Sequence, residues 1–371
     1  MSVTRHALRV LVALLACVPV TGCATLSWYG EAAVGQMRIL AARRPVDEVL
    51  ADPSTAPETA ANLMRVDAIL EFAEHELGLP VGGRYRTYVA LDRDAVVWNV
   101  FAAPEFSLTP HQWCYPVVGC AVYRGFFDRD GARREAVSFA ARGFDVHVGP
   151  VAAYSTLGWF DDPLLSTFIG YSDERLAELL FHELAHGELF VPGDSDFSEA
   201  FATFVGREAT SAWLFATGRN PEPYLAAKQA ARTRANFFQA WRARLGTLYA
   251  QELPADQRRL LKGALFDEMR ACYAERGRRF GSGFGGTLPG ALNNARLAAT
   301  STYEDRTPAF AVLFARLGGN WEAFYRAARE IADREPGARH ALLRDLAREH
   351  ATVHRPEPRD ALVCRRPAVR G

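Results

Sequence analysis

The sequence predicts an α+β fold, a small N-terminal β-sheet followed by a mostly helical region, and three observations carry that expectation. Residues 84–150 hold short runs rich in β-branched and aromatic side chains, as strands do. From about residue 172 to residue 350, apolar residues recur at helical spacing. Hydrophobic residues make up 49% of the 371-residue chain and charged residues 23%, enough apolar material for a core. Residues 23–355 read as one domain, and 356–371 as a loose Pro- and Arg-rich tail.

Taken in order, residues 24–45 form a helix-prone lead-in. Pro57 to Leu77 reads as an amphipathic helix, with Leu63, Val66, Ile69, Leu70 and Phe72 on one face. Pro57 suits the first turn, where its missing N–H is not needed. Gly78, Pro80, Gly82 and Gly83 end that helix. Tyr85–Leu91, Ala95–Ala102 and Tyr115–Phe127 read as strands, and Asp128-Arg129-Asp130-Gly131 as a turn. Ala136–Val148 reads as a helix running into a strand. Asp173–Gly187 is expected as a helix capped by Ser172 or Asp173. Pro192-Gly193-Asp194 makes a turn, and Phe197–Phe215 a second helix. Pro223–Tyr249 and Ala255–Arg279 suggest a helical hairpin. Residues 280–290 form a Gly-rich loop, and Pro308–Leu317, Trp321–Ile331 and Gly337–Glu349 three short helices.

Lys+Arg and Asp+Glu both number 43, so the chain lacks the basic excess of a nucleic-acid binder, and no nucleic-acid partner is expected. The start differs from the rest. Arg5 and Arg9 precede an apolar run from Val10 to Val20, too short to span a bilayer but right for a secretory signal. The run ends in Val20-Thr21-Gly22-Cys23, which resembles a bacterial lipobox. That resemblance implies a signal peptide over 1–22 and acyl chains on Cys23 that hold the protein to a lipid bilayer. Ala24 follows, where an Asp would imply inner-membrane retention, so the periplasmic face of the outer membrane is the expected location. In an oxidising periplasm Cys114 and Cys120 read as a small disulfide-closed loop. Cys272 and Cys364 remain as a further pair, with the connectivity of the four left open.

The chemistry is concentrated in His182-Glu183-Leu184-Ala185-His186. Residues four apart share a helix face, so both imidazoles can point at one ion, and zinc takes such ligands while keeping a position open for water. Glu183 lies about 100° round the helix, beside the ion, where its carboxylate can act as general base on water activated by the metal. One Zn2+ is the expected cofactor. Glu199, 13 positions after His186 and past the Pro192-Gly193 turn, is the candidate third ligand. It also fits a capping box with Asp196, and Asp194 or Asp196 are substitutes. Glu178, one turn before His182, reads as a second-layer partner or a solvated face. His75-Glu76 lacks a second imidazole, since residue 79 is Leu.

The run Phe181–His186 with Ser198-Glu199-Ala200-Phe201-Ala202 downstream resembles the bacterial putative zinc aminopeptidase family, whose members are often lipoproteins. Cys114–Tyr123, Ala153–Pro163, and Leu292-Asn293-Asn294-Ala295 followed by Tyr303 agree with it, over roughly residues 25–350. The resemblance implies a zincin-like fold of the gluzincin type, with two His and one Glu on zinc, acting on peptides. The oxyanion of peptide hydrolysis needs a donor. Tyr303 is the candidate, with Tyr154 second. His147 reads as an ordinary strand residue. Asp161 and Asp162 could hold a substrate ammonium, or simply form a turn with Pro163. The rival readings are an envelope endopeptidase and a catalytically silent zinc lipoprotein that binds a partner.

Overall fold

The computed structural model describes residues 21–115, 119–153, 161–280, 288, 292–300, 307–353 and 364. The order begins with α1 (Thr21–Ala41), β1 (Arg44–Pro45), α2 (Val46–Ala51) and α3 (Pro57–His75). It continues through β2 (Thr87–Val89), β3 (Val97–Pro104), β4 (Trp113–Tyr115), β5 (Gly119–Ala121) and β6 (Arg124–Phe126). Then come α4 (Arg129–Ala141), β7 (Phe144–Val151) and β8 (Leu164–Leu165). The rest is helical: α5 (Asp173–Glu188), α6 (Ser195–Ala216), α7 (Glu222–Tyr249), α8 (Ala255–Phe280), α9 (Asn294–Thr300), α10 (Thr307–Arg316), α11 (Trp321–Ala332) and α12 (Pro336–Val353). Small sheets with a large helical part make this a mixed α and β architecture. No described helix is long and apolar enough to cross a membrane.

The described strands fall into three small sheets rather than one. The main ladder pairs β3 with β7 antiparallel, from Val97 opposite Val151 to Pro104 opposite Phe144, with β6 on the other edge of β3. β2 pairs antiparallel with β1 and parallel with β8, so pairing reaches beyond residues 84–150 on both sides. β4 and β5 form a hairpin in which Cys114 faces Cys120, and the two are disulfide-bonded. Two expectations are corrected. Tyr115–Phe127 is not one strand: Tyr115 ends β4, and β5 and β6 are separate short strands, with Gly119 opening β5 at φ 78°, a conformation glycine adopts readily. Asp128–Gly131 is a helix start, not a turn: the Asp128 carboxylate accepts from the Gly131 N–H at 2.8 Å and caps α4.

The core explains the helices. Leu63, Ile69 and Leu70 of α3 pack with Leu180 and Phe181 of α5 and with Phe201 of α6, all 1% exposed or less. Phe310 and Phe324 bring α10 and α11 onto α6 through Phe201 and Phe204. A second cluster, Phe237, Trp241, Phe266 and Met269, joins α7 to α8. α1 is fixed by Trp28. Its ring stacks on Tyr115 at 4.8 Å, its N–H donates to the Gly125 carbonyl at 2.8 Å, and the Arg124 guanidinium lies over it.

The Asn293-Asn294 pair is a structural clasp. Asn294 donates from its backbone to Asp145 and from its side chain to the Pro104 and Glu105 carbonyls, and accepts from the Tyr249 hydroxyl. Asn293 donates to the Val146 carbonyl and caps α9 by accepting from the Arg296 N–H. Lys262, buried on α8, donates to Asp145 at 2.7 Å and to the Glu105 carbonyl at 2.8 Å. The helical hairpin is thereby held to the Pro104 end of the β3–β7 ladder. A disulfide between Cys272 and Cys364 ties α8 to the chain end.

Candidate metal centre

α5 forms because its apolar residues lie on one side and its first turn is acidic. Leu176, Ala177, Leu180, Phe181, Leu184 and Ala185 are buried, while Asp173 and Glu174 complement the positive helix start. His182 and His186 emerge on a neighbouring face, one turn apart, with their Nε2 atoms 3.2 Å from each other. After α5 the chain reverses through Gly193, whose φ of 79° only glycine adopts without strain. Asp194 and Ser198 tie this turn. The Asp194 carboxylate accepts from the Phe197 N–H at 3.1 Å, and the Ser198 hydroxyl accepts from the Val191 N–H at 3.0 Å. α6 then runs back along α5. Its Gly206 sits so close that a Cβ there would lie 2.9 Å from the Glu178 carbonyl and 3.2 Å from the His182 Cβ.

That return brings Glu199 over the two imidazoles. One of its oxygens lies 3.4 Å from His182 Nε2 and the other 3.6 Å from His186 Nε2. Among the described residues, His182, His186 and Glu199 make up the single His/Cys/Asp/Glu cluster with metal-ligand spacing. The donor set suits zinc in kind, two imidazole nitrogens and a carboxylate. A tetrahedral ion with ligand bonds of about 2.0–2.1 Å needs donor–donor edges of about 3.3–3.4 Å. The two Nε2 atoms, 3.2 Å apart, are close to that edge, and the Glu199 carboxylate reaches one with each of its oxygens, at 3.4 and 3.6 Å. Two imidazole nitrogens facing each other cannot both be lone-pair acceptors without repulsion, and a cation between them removes the conflict. His186 is 6% exposed, and its Nδ1 has no partner among the described residues.

The charges respond as such a cluster should. Burial would lower the His182 imidazole, but the hydrogen bond to Glu199 and the charges of Glu183, Glu199 and Glu178 raise it instead. Burial would raise Glu199, but hydrogen bonds from both imidazoles and their charges hold it at about 2. Burial raises Glu183, opposed by the two histidines and reinforced by Glu199 and Asp162. A carboxyl raised in this way is the more basic as a proton acceptor.

The other candidates sort cleanly. Glu199 does not serve the helix start: α6 begins at Ser195 with Asp194 as its cap, and the Glu199 carboxylate faces the histidines. Asp194 is committed elsewhere, since it accepts from Arg339 and the His340 ring at 2.7 Å each. Glu178 is paired with Arg207 at 3.7 Å and with Lys228. His147 packs against Phe101, and burial and the Arg296 charge lower its imidazole. The Asp161 carboxylate lies over Gly83, while Asp162 is buried and its charge acts on Glu183. Tyr303 and Tyr154 lie outside the described residues, as do residues 1–20 of the expected signal peptide. Cys23 falls within α1.

The site's charges act on two tyrosine phenols that the sequence did not single out. Burial, then the Glu199 and Glu183 charges, raise the Tyr123 phenol, which follows the disulfide hairpin. Tyr85 is buried, and after burial the nearest influence on its phenol is Glu183. Its backbone φ is 62°, a conformation that costs a bulky residue about 1–3 kcal/mol. Neither carries a local sequence signal, because both are placed by contacts distant in the chain. A cavity of about 660 Å³ lies between α1 and the β6–α4 corner and is lined by none of the cluster residues.

No curated protein and no solved structure matches the chain. A family model does, over residues 27–343, a span that contains the histidine pair, Glu183, Glu199, the disulfide hairpin and the Asn clasp. The chain belongs to the family described as Putative aminopeptidase.

Proposed function

We propose that this protein is a zinc-dependent aminopeptidase that holds one ion through His182, His186 and Glu199 and uses Glu183 as general base. The observation that carries the reading is the convergence of two Nε2 atoms, 3.2 Å apart, and the Glu199 carboxylate, 3.4 and 3.6 Å from them, beside the desolvated Glu183 carboxyl. Zinc, when bound, supplies a Lewis acid and lowers the pKa of water from about 15.7 to about 7. Glu183 takes the proton that the attacking water gives up, and passes it to the amine that leaves. His182 and His186 are held in orientation by the packed face of α5, and Glu199 by the turn at Gly193. Exopeptidase action fits the family's description.

The test is hydrolysis of aminoacyl reporter substrates, before and after chelation and with zinc restored. Activity that needs zinc and a free N-terminus supports the reading. Cleavage of N-terminally blocked peptides makes the protein an endopeptidase, and no cleavage of any peptide removes the enzymatic reading.

The lipobox-like run supports a second part of the proposal, attachment to the periplasmic face of the outer membrane through acylated Cys23. Trp28 is already packed on the body five residues later, so the anchor would leave little tether. Metabolic palmitate labelling that persists in Cys23→Ala would contradict this.

A further inference from the structure

We propose that the outer face of α1 lies along the bilayer to which Cys23 is anchored, so that the protein meets the membrane with one fixed side. The inference rests on the acylated-Cys23 reading and extends it from a point of attachment to a surface of contact. α1 has two unlike sides. On the inner side Trp28 packs on Tyr115, Ile39 is buried in the main core, and a Cβ on Gly35 would lie 2.3 Å from the Phe127 ring. On the outer side Gly30, Ala33, Val34, Met37 and Ala41 are exposed. They recur at spacings of three and four, the period of one helix face. Val34 is 51% exposed and Met37 62%. Single exposed apolar residues are ordinary on a protein surface, but five uncharged positions along one helix make a stripe.

The stripe and the anchor share a line. Cys23 lies seven residues before Gly30, two turns, and so holds nearly the same position around the axis of α1. Acyl chains that begin there bring the bilayer to the start of the stripe. The Trp28 N–H, bonded to the Gly125 carbonyl, holds the helix to the body, so the body follows the helix. α1 is not a span, since no described helix is long and apolar enough to cross a membrane. A helix with one apolar side instead lies in the interface, that side down, to a depth of about 5–10 Å. Tyr29, 39% exposed at the edge of the stripe, has the amphipathic ring that sits at headgroup level. A protein partner suits the stripe less well. A stable interface covers about 800 Å² on each partner, and Val34 and Met37 are the large side chains among the five. The contact is apolar rather than electrostatic, because the charges of α1 are Glu31 and Arg38, one of each sign.

The experiment uses the full chain in acylated form, reconstituted into phosphatidylethanolamine–phosphatidylglycerol vesicles with brominated acyl chains. Cys114–Cys120 and Cys272–Cys364 are disulfides, so a single introduced thiol takes a fluorescent probe. A probe at Met37→Cys should be quenched several-fold more than one at Leu260→Cys, a site 76% exposed on α8. Adding Val34→Glu should remove that difference while the protein still floats with the vesicles. High salt should leave the quenching unchanged, as screening acts on charges and not on apolar contact.

Equal quenching at the two sites in a floating, acylated protein overturns the inference, and so does quenching that fades in high salt. Energy transfer between Met37 probes on two chains, in place of lipid quenching, assigns the stripe to a second copy and also overturns it. A chain without acyl groups, recognised separately by its mass, removes the anchor and this inference with it.

Discussion

Glu183 is the residue on which the proposed chemistry turns. Its carboxyl is desolvated and raised, and it stands one position from a metal-ligand candidate. Glu183→Gln keeps the shape and removes the base, so kcat should fall by about 10²–10⁴ while zinc content and thermal unfolding stay as in the wild type. Peptidase assays paired with metal analysis check this. The histidine pair and its glutamate were legible in the sequence because ligand geometry and helix geometry share a period: four residues make one turn, and one turn matches the distance across an ion. Glu199 was legible only as one of two readings. What decides between them is where the helix begins, and a shift of the cap from Asp196 to Asp194 moves Glu199 off the N-terminal turn. The positive φ of Tyr85 was not legible at all, since its backbone partner Asp162 lies far along the chain.

Between elements, the pairing of α5 with α6 sets the gap in which a metal would sit. Gly206 lies seven residues, two turns, after Glu199 on α6 and touches the Glu178–His182 turn of α5. Gly206→Ala must push the helices apart, and zinc affinity should fall about 10–100-fold, as for other changes just outside a ligand set. Gly263→Ala, where the added methyl meets nothing, should leave affinity unchanged. Competition with a zinc-binding dye measures both. The turn before α6 depends on Asp194, side-chain exposure 10%, which pairs with Arg339 at 7%. Asp194→Ala leaves that guanidinium buried and removes a cap, and should cost about 3 kcal/mol or more in denaturant unfolding. Burial would raise the Asp194 carboxyl, but hydrogen bonds from His340 and the Phe197 N–H and the charges of His340 and Arg339 lower it. A lowered carboxyl stabilises the fold above its unfolded pKa, about 3.9, and that contribution disappears as pH falls through the lower folded value. The long helices after residue 172 were read to within a few residues because their apolar spacing is local, whereas α4 begins seven residues before the expected Ala136 and the short α2 and α9 were missed. Asp128–Gly131 misled because the same Asp-to-Gly spacing serves a turn and a helix cap alike.

Across the whole molecule, the helical hairpin is held to the sheet by parts far apart in sequence. Asp145 of β7, Lys262 of α8 and Asn294 at the start of α9 form one buried network. Asp145→Ala strands the Lys262 ammonium and should cost about 3–5 kcal/mol by denaturant unfolding. Zinc affinity should not change, because none of these groups touches the histidines. The fold class was legible, since period and composition separate strand-rich from helical stretches. The sheet pairing, the β1–β2–β8 association and the clasp were not, because nothing local says which short strand or which asparagine meets which partner.

The most direct measurement of the central claim is zinc-edge anomalous diffraction from crystals of the protein lacking residues 1–23. The account predicts one full-occupancy peak bonded to Nε2 of His182, Nε2 of His186 and a Glu199 carboxylate oxygen. A zinc-supplemented crystal with no anomalous peak there, or with the ion bound to other side chains, would contradict it.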